Sequence, residues 1–467
     1  MTQHRPAPND DDPPATAPPG APPRALATVP VAPGRLPALG HLVPFMRNPM
    51  RFITSLQPVG PLVRIDAGPM TMYLVNSPAL LHQVLVTDAR RYEKGAAFDK
   101  ARTIMGNGVL FSEEPLHLQQ RRLVQPAFRR GDAPAWRATA AACAAARIGR
   151  WREGQSVDVL DEMHRISLTL IIRSFFATDP APATLDRLHR IMKILLGGIM
   201  VRFMTPGTAL ERLPIPSNRR FNRAVEDLNT IVADMARAGA RTRQDPGNDR
   251  RDLFATLCPA GAGRAPSQPL AQTCDEAISV LIAGTETMAT TLSWLLHELA
   301  QHPDWERQLR AELRAADGDT GQAEILDRLL SEVLRLHTPN WVLMRRARTD
   351  VELGGVHLPA GTELLFSLSA LHRDPQVFDD ASAFDPDRWL PGRETGRDRF
   401  VFIPFGDGNR KCLGDAFAWT GMREIAAELV TRWSLRHAPG ATVGETRLFA
   451  TLQPTGLRMT VAPAPAA

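Results

Sequence analysis

The chain has 467 residues, 44% of them hydrophobic and 22% charged, with a formal net charge of +5 and four cysteines. That apolar content excludes a disordered polymer, and so few cysteines exclude a disulfide scaffold. The positive charge is mild for this length, and only Lys94, Lys100, Lys193 and Lys411 among the basic residues are lysine, so no nucleic-acid surface is indicated. Length alone suggests about three domains, a soft prior that large single-core enzymes break.

Residues 1–33 hold ten prolines and the acidic run Asp10–Asp12 where a secretory signal needs an apolar stretch. They are expected to form a disordered tail ahead of one large domain spanning 34–467. No window approaches 18 uninterrupted apolar residues, so no transmembrane segment is expected. Cys143, Cys258, Cys274 and Cys412 lie far apart without a CxxC pair, which suits a reducing compartment. A soluble, cytoplasmic protein is expected.

Leu62–Ala67 and Thr71–Val75 read as two strands around a Gly68-Pro69 turn, and a helix follows near Pro78. From Asp132 to Arg243 the pattern is mostly helical, with breaks expected at Gly197-Gly198 and at Pro206, Pro214 and Pro216. Such breaks imply movable helices over a cavity. The apolar stretch Ile191–Met204 suits core packing or a membrane surface, and Lys193 and Arg202 interrupt it. Residues 245–270 read as a loop. A helix from about Gln272 to Gln301, stopped by Pro303, would be roughly 45 Å long. Another helix contains Glu332 and Arg335; Val351–Leu358 and Glu363–Leu368 read as strands, and 415–435 as helix. No repeat is visible, and nothing alternates strand and helix as a dinucleotide-binding fold would. The fold class is mainly α with small β-sheets.

The segment Phe405-Gly-Asp-Gly-Asn-Arg-Lys-Cys412-Leu-Gly414 carries the strongest chemical signal. A lone cysteine just before a helix can be held as thiolate by helix-start N–H groups and the dipole. Gly406, Gly408 and Gly414 allow the backbone to approach a flat cofactor, and Arg410 can reach an anionic group at its edge. The plainer alternative is a small core cysteine beside a glycine turn. A dinucleotide loop fails, because the third glycine of GxGxxG would fall on Lys411. Within the long helix, Ala283-Gly-Thr-Glu-Thr-Met288 pairs small residues with an acid and a hydroxyl. Thr287 can bond the carbonyl of Ala283 and open a groove, and Glu286 offers a carboxyl for proton relay. Alone, such a segment is a packing notch. His297 and His302 are five apart and diverge by about 140° on a helix, which rejects a zinc-protease reading and leaves surface or cap roles.

The loop from Phe405 to Gly414 matches FxxGxRxCxG and closely resembles the haem-binding signature of the cytochrome P-450 family. The resemblance extends from about Leu36 to Val461. It implies that Cys412 ligates haem iron, where a thiolate favours O–O cleavage. It also implies that Phe405, Gly406, Arg410 and Gly414 border the cofactor, haem b (iron protoporphyrin IX), with Ala283 and Gly284 against its other face. Glu286 and Thr287 resemble the family's acid-alcohol pair, which delivers protons during oxygen activation; Met288 departs from the second hydroxyl common there. His117 and Arg121, sharing a helix face at i and i+4, are similar to the helix that grips the haem propionates, and Arg345 is carried over beside them. Glu332, Arg335 and Arg388 resemble a buried Glu-Arg-Arg structural network.

These likenesses imply a bacterial haem-thiolate monooxygenase placing one oxygen atom of O₂ into a C–H bond. No flavin or iron–sulfur module is fused to the chain, so a separate ferredoxin and ferredoxin reductase are the expected electron donors. Arg129, Arg130, Arg410 and Lys411 are candidates for a docking patch. By analogy the substrate pocket draws on Met105, the Gly197–Met204 region, Ala283, Val342 and Leu343, which suits a hydrophobic small molecule. The phrases from Arg212 to Phe221 and from Trp341 to Ala347 are similar to actinobacterial members that oxidise sesquiterpenes, so a terpenoid leads, with fatty acids, macrolides and aromatics open. A peroxygenase or a non-catalytic haem-thiolate protein are the alternatives.

Overall fold

In a computed structural model, which describes residues 24–465 except 69, 177, 205–210, 212, 243–252, 258–268, 394–397 and 447–450, one helix organises the rest. Leu270–Gln301 carries apolar residues on all sides, so it is buried along most of its length. Pro269 precedes it, and the chain turns at His302 before Pro303 opens the helix Pro303–Ala315. The helices Val159–Phe175, Pro216–Thr242 and Glu324–Leu336 pack against it. Gly284 lets two of these helices close: a β-carbon there would overlap the Ile171 side chain. Met288 is fully buried beside Gly421 of Asp415–Arg432, where a β-carbon would stand 2.7 Å from the Met288 methyl.

The two predicted strands form the hairpin Leu62–Ala67 and Met70–Val75, in register Leu62 to Val75. It continues into a five-stranded sheet through Glu363–Phe366, Leu343–Ala347 and Tyr92–Glu93. A second sheet joins Ser156–Asp158, Arg458–Pro463 and Trp433–His437. Among the described residues no helix is long and apolar enough to cross a membrane. The mainly helical fold with small sheets is as expected.

Four local expectations change. The helix Pro182–Met204 runs straight through Gly197-Gly198. Gly198 makes room for the Phe221 ring, whose edge would lie 2.5 Å from a β-carbon, and Arg202 stacks over that ring at 3.4 Å. Helix contact, not a break, explains that glycine. Pro206 lies outside the described residues. Val351–Leu358 is two strands, because Gly354 and Gly355 at φ 57° and 74° turn the chain between Leu353 and Val356. The expected 245–270 loop contains the helix Leu253–Leu257, whose Leu253, Phe254 and Leu257 are buried; the rest, with Cys258, lies outside the described residues apart from Pro269 and Leu270. Residues 24–33 are also not a tail. Arg24 bridges to Val356, Val31 bridges to Arg64, and Val29 and Ala32 are buried, so apolar anchors move the boundary back from 34. Residues 1–23 lie outside the described residues.

Glu332, Arg335 and Arg388 meet in the interior. Glu332 accepts from Arg335 Nε at 2.9 Å and Nη2 at 2.7 Å, from Arg388 Nε at 3.3 Å, and from Trp389 Nε1 and the Asp385 N–H at 3.0 Å. Arg335 donates its remaining N–H groups to the carbonyls of His372, Ala381 and Ala383. Removing one partner strands a buried charge, at a cost of about 3–5 kcal/mol. Arg388→Ala is therefore expected to lower the urea midpoint sharply, with a loss in that range, whereas Arg399→Ala, at the exposed Asp407 pair, changes it by under about 1 kcal/mol.

Candidate functional site

The cysteine loop is held mainly by its own backbone. Gly406 N–H donates to the Ile403 carbonyl at 2.8 Å, Cys412 N–H to Phe405 at 3.0 Å, and Lys411 N–H to Gly408 at 3.2 Å. Gly406 and Gly408 have φ of 68° and 72°, a region that favours glycine. They differ in surroundings: a β-carbon on Gly408 would collide with the Leu85 carbonyl, while nothing lies within 4 Å of one on Gly406. A β-carbon on Gly414 would stand 3.3 Å from the Phe128 ring, and Phe405 meets Trp419 edge-on at 6.3 Å. The loop is anchored upstream by His372, whose Nε2 accepts the Ile403 N–H at 3.1 Å. Burial pushes the His372 pKa down to about 3, so the ring is neutral and its Nδ1–H faces Thr338 Oγ1 at 2.8 Å.

Cys412 is exposed, whereas Cys143 and Cys274 are buried. Burial, with the Asp415 charge, raises the thiol above its ordinary pKa, against the Gly414 N–H, Arg121 and Lys411, which favour the thiolate. The expected stabilisation by the helix start is thus present and outweighed by burial.

Ala283 is exposed midway along the otherwise buried long helix. Thr287 Oγ1 donates to its carbonyl at 2.8 Å, on the same face. A β-carbon on Gly284 would instead meet Ile171, so its small size serves helix packing. Glu286 is buried and turned elsewhere, paired with His164 Nε2 and accepting from Thr451 Oγ1, each at 2.9 Å. Met288 fills the contact with Gly421, which accounts for an apolar residue there.

Cations gather between the sheet and the cysteine loop. Arg410 donates to Glu113 at 2.7 Å and to the Ser112 carbonyl at 2.6 Å. His117 pairs with Glu114 at 2.8 Å, and Arg121 donates to the Lys411 carbonyl at 2.8 Å, so these two do not close on one shared group. Burial and then Arg410 push the His117 pKa down to about 4, leaving the ring neutral at pH 7. Arg345 is buried, stacks 5.7 Å from the Phe366 centroid, and donates to its neighbour Met344's carbonyl. No carboxylate pairs with it among the described residues. Burial and Arg410 lower its pKa to about 10. Lys94, which sequence reasoning missed, is also buried here, its ammonium bound by the Leu110 carbonyl and over the Phe98 ring at 4.7 Å. Burial, Arg410 and Arg345 hold its pKa well below the ordinary lysine value. Its rarity, one lysine in four, was the only signal available. Nothing in the sequence pointed to Glu113, Glu114, His164 or Thr451.

Other expectations shift. Met105 is buried in the core, so it offers little surface to a pocket, whereas Val342 and Leu343 are half-buried. The side chains of Met200, Val201, Phe203 and Met204 lie outside the described residues. The Arg410 side chain is enclosed, which removes it from a docking patch; Arg129 and Arg130 are exposed and Lys411 partly so. His302 does sit at a helix end, but His297 is buried against His437 at 2.8 Å, and burial lowers its pKa to about 4.

The residues present fit an iron porphyrin: an accessible sulfur, an exposed alanine and a half-buried threonine on a buried helix, and a buried guanidinium that no carboxylate pairs with among the described residues. The family model described as Cytochrome P450 matches residues 30–458. The chain belongs to the cytochrome P450 family. It is a haem-thiolate monooxygenase of that family. It is 38% identical over 91% of its length to cyclooctat-9-en-7-ol 5-monooxygenase of Streptomyces melanosporofaciens, covering 93% of that protein. It is 35% identical over 92% to pentalenene oxygenase of Streptomyces avermitilis, covering 96% of it. The haem domain of cytochrome P450DA superposes with a TM-score of 0.81 at 24% identity, over 94% of this chain and 98% of that one.

The P450 long helix also fastens the loop after Met105. Asp275 accepts the Asn107 N–H and Glu276 the Val109 N–H, each at 2.8 Å, and burial pushes the Glu276 pKa up to about 7. The unfolded chain releases that proton near pH 4.5 and the folded chain near 7, so stability falls as pH rises through this window. Glu276→Gln removes the term. Its urea stability relative to the parent is expected to improve by roughly 2–3 kcal/mol between pH 5 and pH 8.

Proposed function

We propose that this chain uses haem b, draws electrons from a separate ferredoxin and its reductase, and hydroxylates a terpenoid, sesquiterpenes leading, in the bacterial cytoplasm. The exposed Cys412, together with a buried Arg345 that no carboxylate pairs with among the described residues, carries the cofactor assignment. Bound haem supplies reductive activation of O₂, one atom going to a C–H bond and one to water, with two electrons and two protons consumed.

The protein's residues divide the remaining work. Cys412 binds the metal, with the Gly414 N–H and Arg121 favouring its negative charge. Arg345, with Lys94, Arg410 and Arg121 nearby, supports binding of the propionates by charge, and the neutral His117 ring supports it by a hydrogen bond. Ala283 leaves space, and Thr287, tied to the Ala283 carbonyl, orients a hydroxyl toward it. Glu286 holds protons behind that hydroxyl. Arg129, Arg130 and Lys411 offer accessible positive charge to an acidic electron donor. Support for a terpenoid comes from the substrates named in the two Streptomyces relatives and from the apolar Val342 and Leu343.

The reduced protein under carbon monoxide is expected to show the strongly red-shifted thiolate band, and Cys412→Ser to lose it. A parent without that band rejects the cofactor assignment. For substrate class, terpenoids should displace the Soret band at micromolar concentration; a response confined to charged compounds rejects the terpenoid.

A further inference from the structure

One part of the surface is apolar where the fold has no use for it. Of the ten large hydrophobic residues exposed among the described residues, five fall between 31 and 46: Val31, Leu36, Leu39, Val43 and Met46. Singly scattered apolar residues are ordinary, but half of them gathered in so short a stretch are not.

The short helix Leu42–Arg47 supplies two of them. Its inner side is already satisfied: Phe45 meets Phe52 edge-on at 6.3 Å and packs on the buried cluster that holds Met50, Ile53 and Leu56. Val43 and Met46, one turn apart on the other side, are 46% and 44% exposed. A helix that is apolar on both sides belongs between two apolar layers, and the fold provides one.

The turn before this helix adds Leu36 and Leu39 and holds them rigidly. Leu36 and Gly40 exchange backbone bonds at 2.8 and 2.9 Å. Gly40 has φ of 59°, and a β-carbon there would collide with the Asp66 carbonyl. His41 is fully buried, its Nδ1 accepting the Asp66 N–H at 3.0 Å and its Nε2–H donating to the Ala32 carbonyl at 2.8 Å. Ala38 is kept at φ of 60°, a conformation that alanine rarely adopts. Residues 33–39 are all exposed, so the turn projects. A slack loop would fold its leucines back onto the protein, whereas this strained one keeps them outside, and contact with another surface orders nothing further.

Charge narrows what that surface is. No aspartate or glutamate occurs between residues 13 and 65. Arg47 and Arg51 are exposed and form no ion pair among the described residues, and Arg35, 63% exposed, pairs with Asp66. A second copy across a two-fold axis would set these arginines against their own kind. A protein partner favours aromatic anchors for its pockets, and the exposed apolar residues here are aliphatic or methionine. Acyl chains beneath acidic headgroups receive a projecting aliphatic turn without any shaped socket.

We propose that Leu36, Leu39, Val43 and Met46, edged by Arg47 and Arg51, form a contact by which the protein rests on an anionic lipid bilayer. The turn and the outer side of the helix enter the boundary between headgroups and acyl chains, and the arginines pair with lipid phosphates. The protein lies on the bilayer without spanning it, and the contact does not depend on the cofactor assignment.

Co-sedimentation of the full-length, haem-loaded protein with vesicles tests this. The parent should pellet at low salt with vesicles of phosphatidylglycerol and phosphatidylcholine in equal parts, stay in solution with phosphatidylcholine alone, and be released as sodium chloride is raised. Leu39→Ser, Val43→Ser and Met46→Ser combined should weaken binding at least about tenfold, and Arg47→Gln with Arg51→Gln about tenfold. Leu270→Ser, at an exposed leucine elsewhere, should bind as the parent does. Every one of these changes alters only exposed side chains, so urea midpoints should match the parent's and separate a lost contact from a lost fold. A parent that does not pellet, equal pelleting with phosphatidylcholine alone, binding that survives the triple serine variant, or binding insensitive to both arginine substitutions would each overturn the proposal. So would a dimer in sedimentation velocity that the triple variant abolishes, which assigns the face to a second copy.

Discussion

The structure depends on a carboxylate that has no access to water. Glu332 must receive donors from the protein alone, and it takes them from Arg335, Arg388, Trp389 and the Asp385 amide. Its helix is thereby fastened to the strand-poor segment around residues 380–389. Arg335 extends the tie to the His372 carbonyl, and the His372 ring extends it to the Ile403 amide at the entrance to the cysteine loop. The position of the sulfur therefore follows from satisfying one buried charge, and each link is a hydrogen bond whose loss leaves a polar group unpaired in the interior.

A second balance operates at the opposite side of the loop. Lys94, Arg345 and Arg410 are enclosed together, Arg410 depressing the proton affinity of the other two, and among the described residues only Arg410 of the three forms ion pairs with carboxylates, Glu113 and Glu114. A folded interior tolerates such a surplus of positive charge where an anion completes it. The cluster is strained electrostatically in the direction that favours an acidic ligand, and this is independent of the sulfur chemistry.

Sequence reasoning reached the features whose chemistry is local. The cysteine loop, the long helix ended by Pro303, the hairpin at Leu62–Val75 and the Thr287 bond to Ala283 all involve residues a few positions apart, where spacing decides geometry. It failed where a distant partner decides. Gly284 and Gly198 look like open space or a break, and only the arrival of Ile171 and Phe221 makes them contact points. Residues 24–33 look like a proline-rich tail until Val356 and Arg64 supply bridges. Lys94, His164 and Thr451 belong to no motif, and their meaning comes from groups many residues away that burial brings alongside.

The contact between Gly408 and the Leu85 carbonyl has a consequence for how such a protein can diverge. Two stretches of main chain, far apart in sequence, touch with no side chain between them. Side-chain replacement nearby cannot move the sulfur gradually, because nothing adjustable separates the surfaces. Variation is channelled instead into the walls facing the substrate, while the metal-binding loop is inherited as a fixed shape.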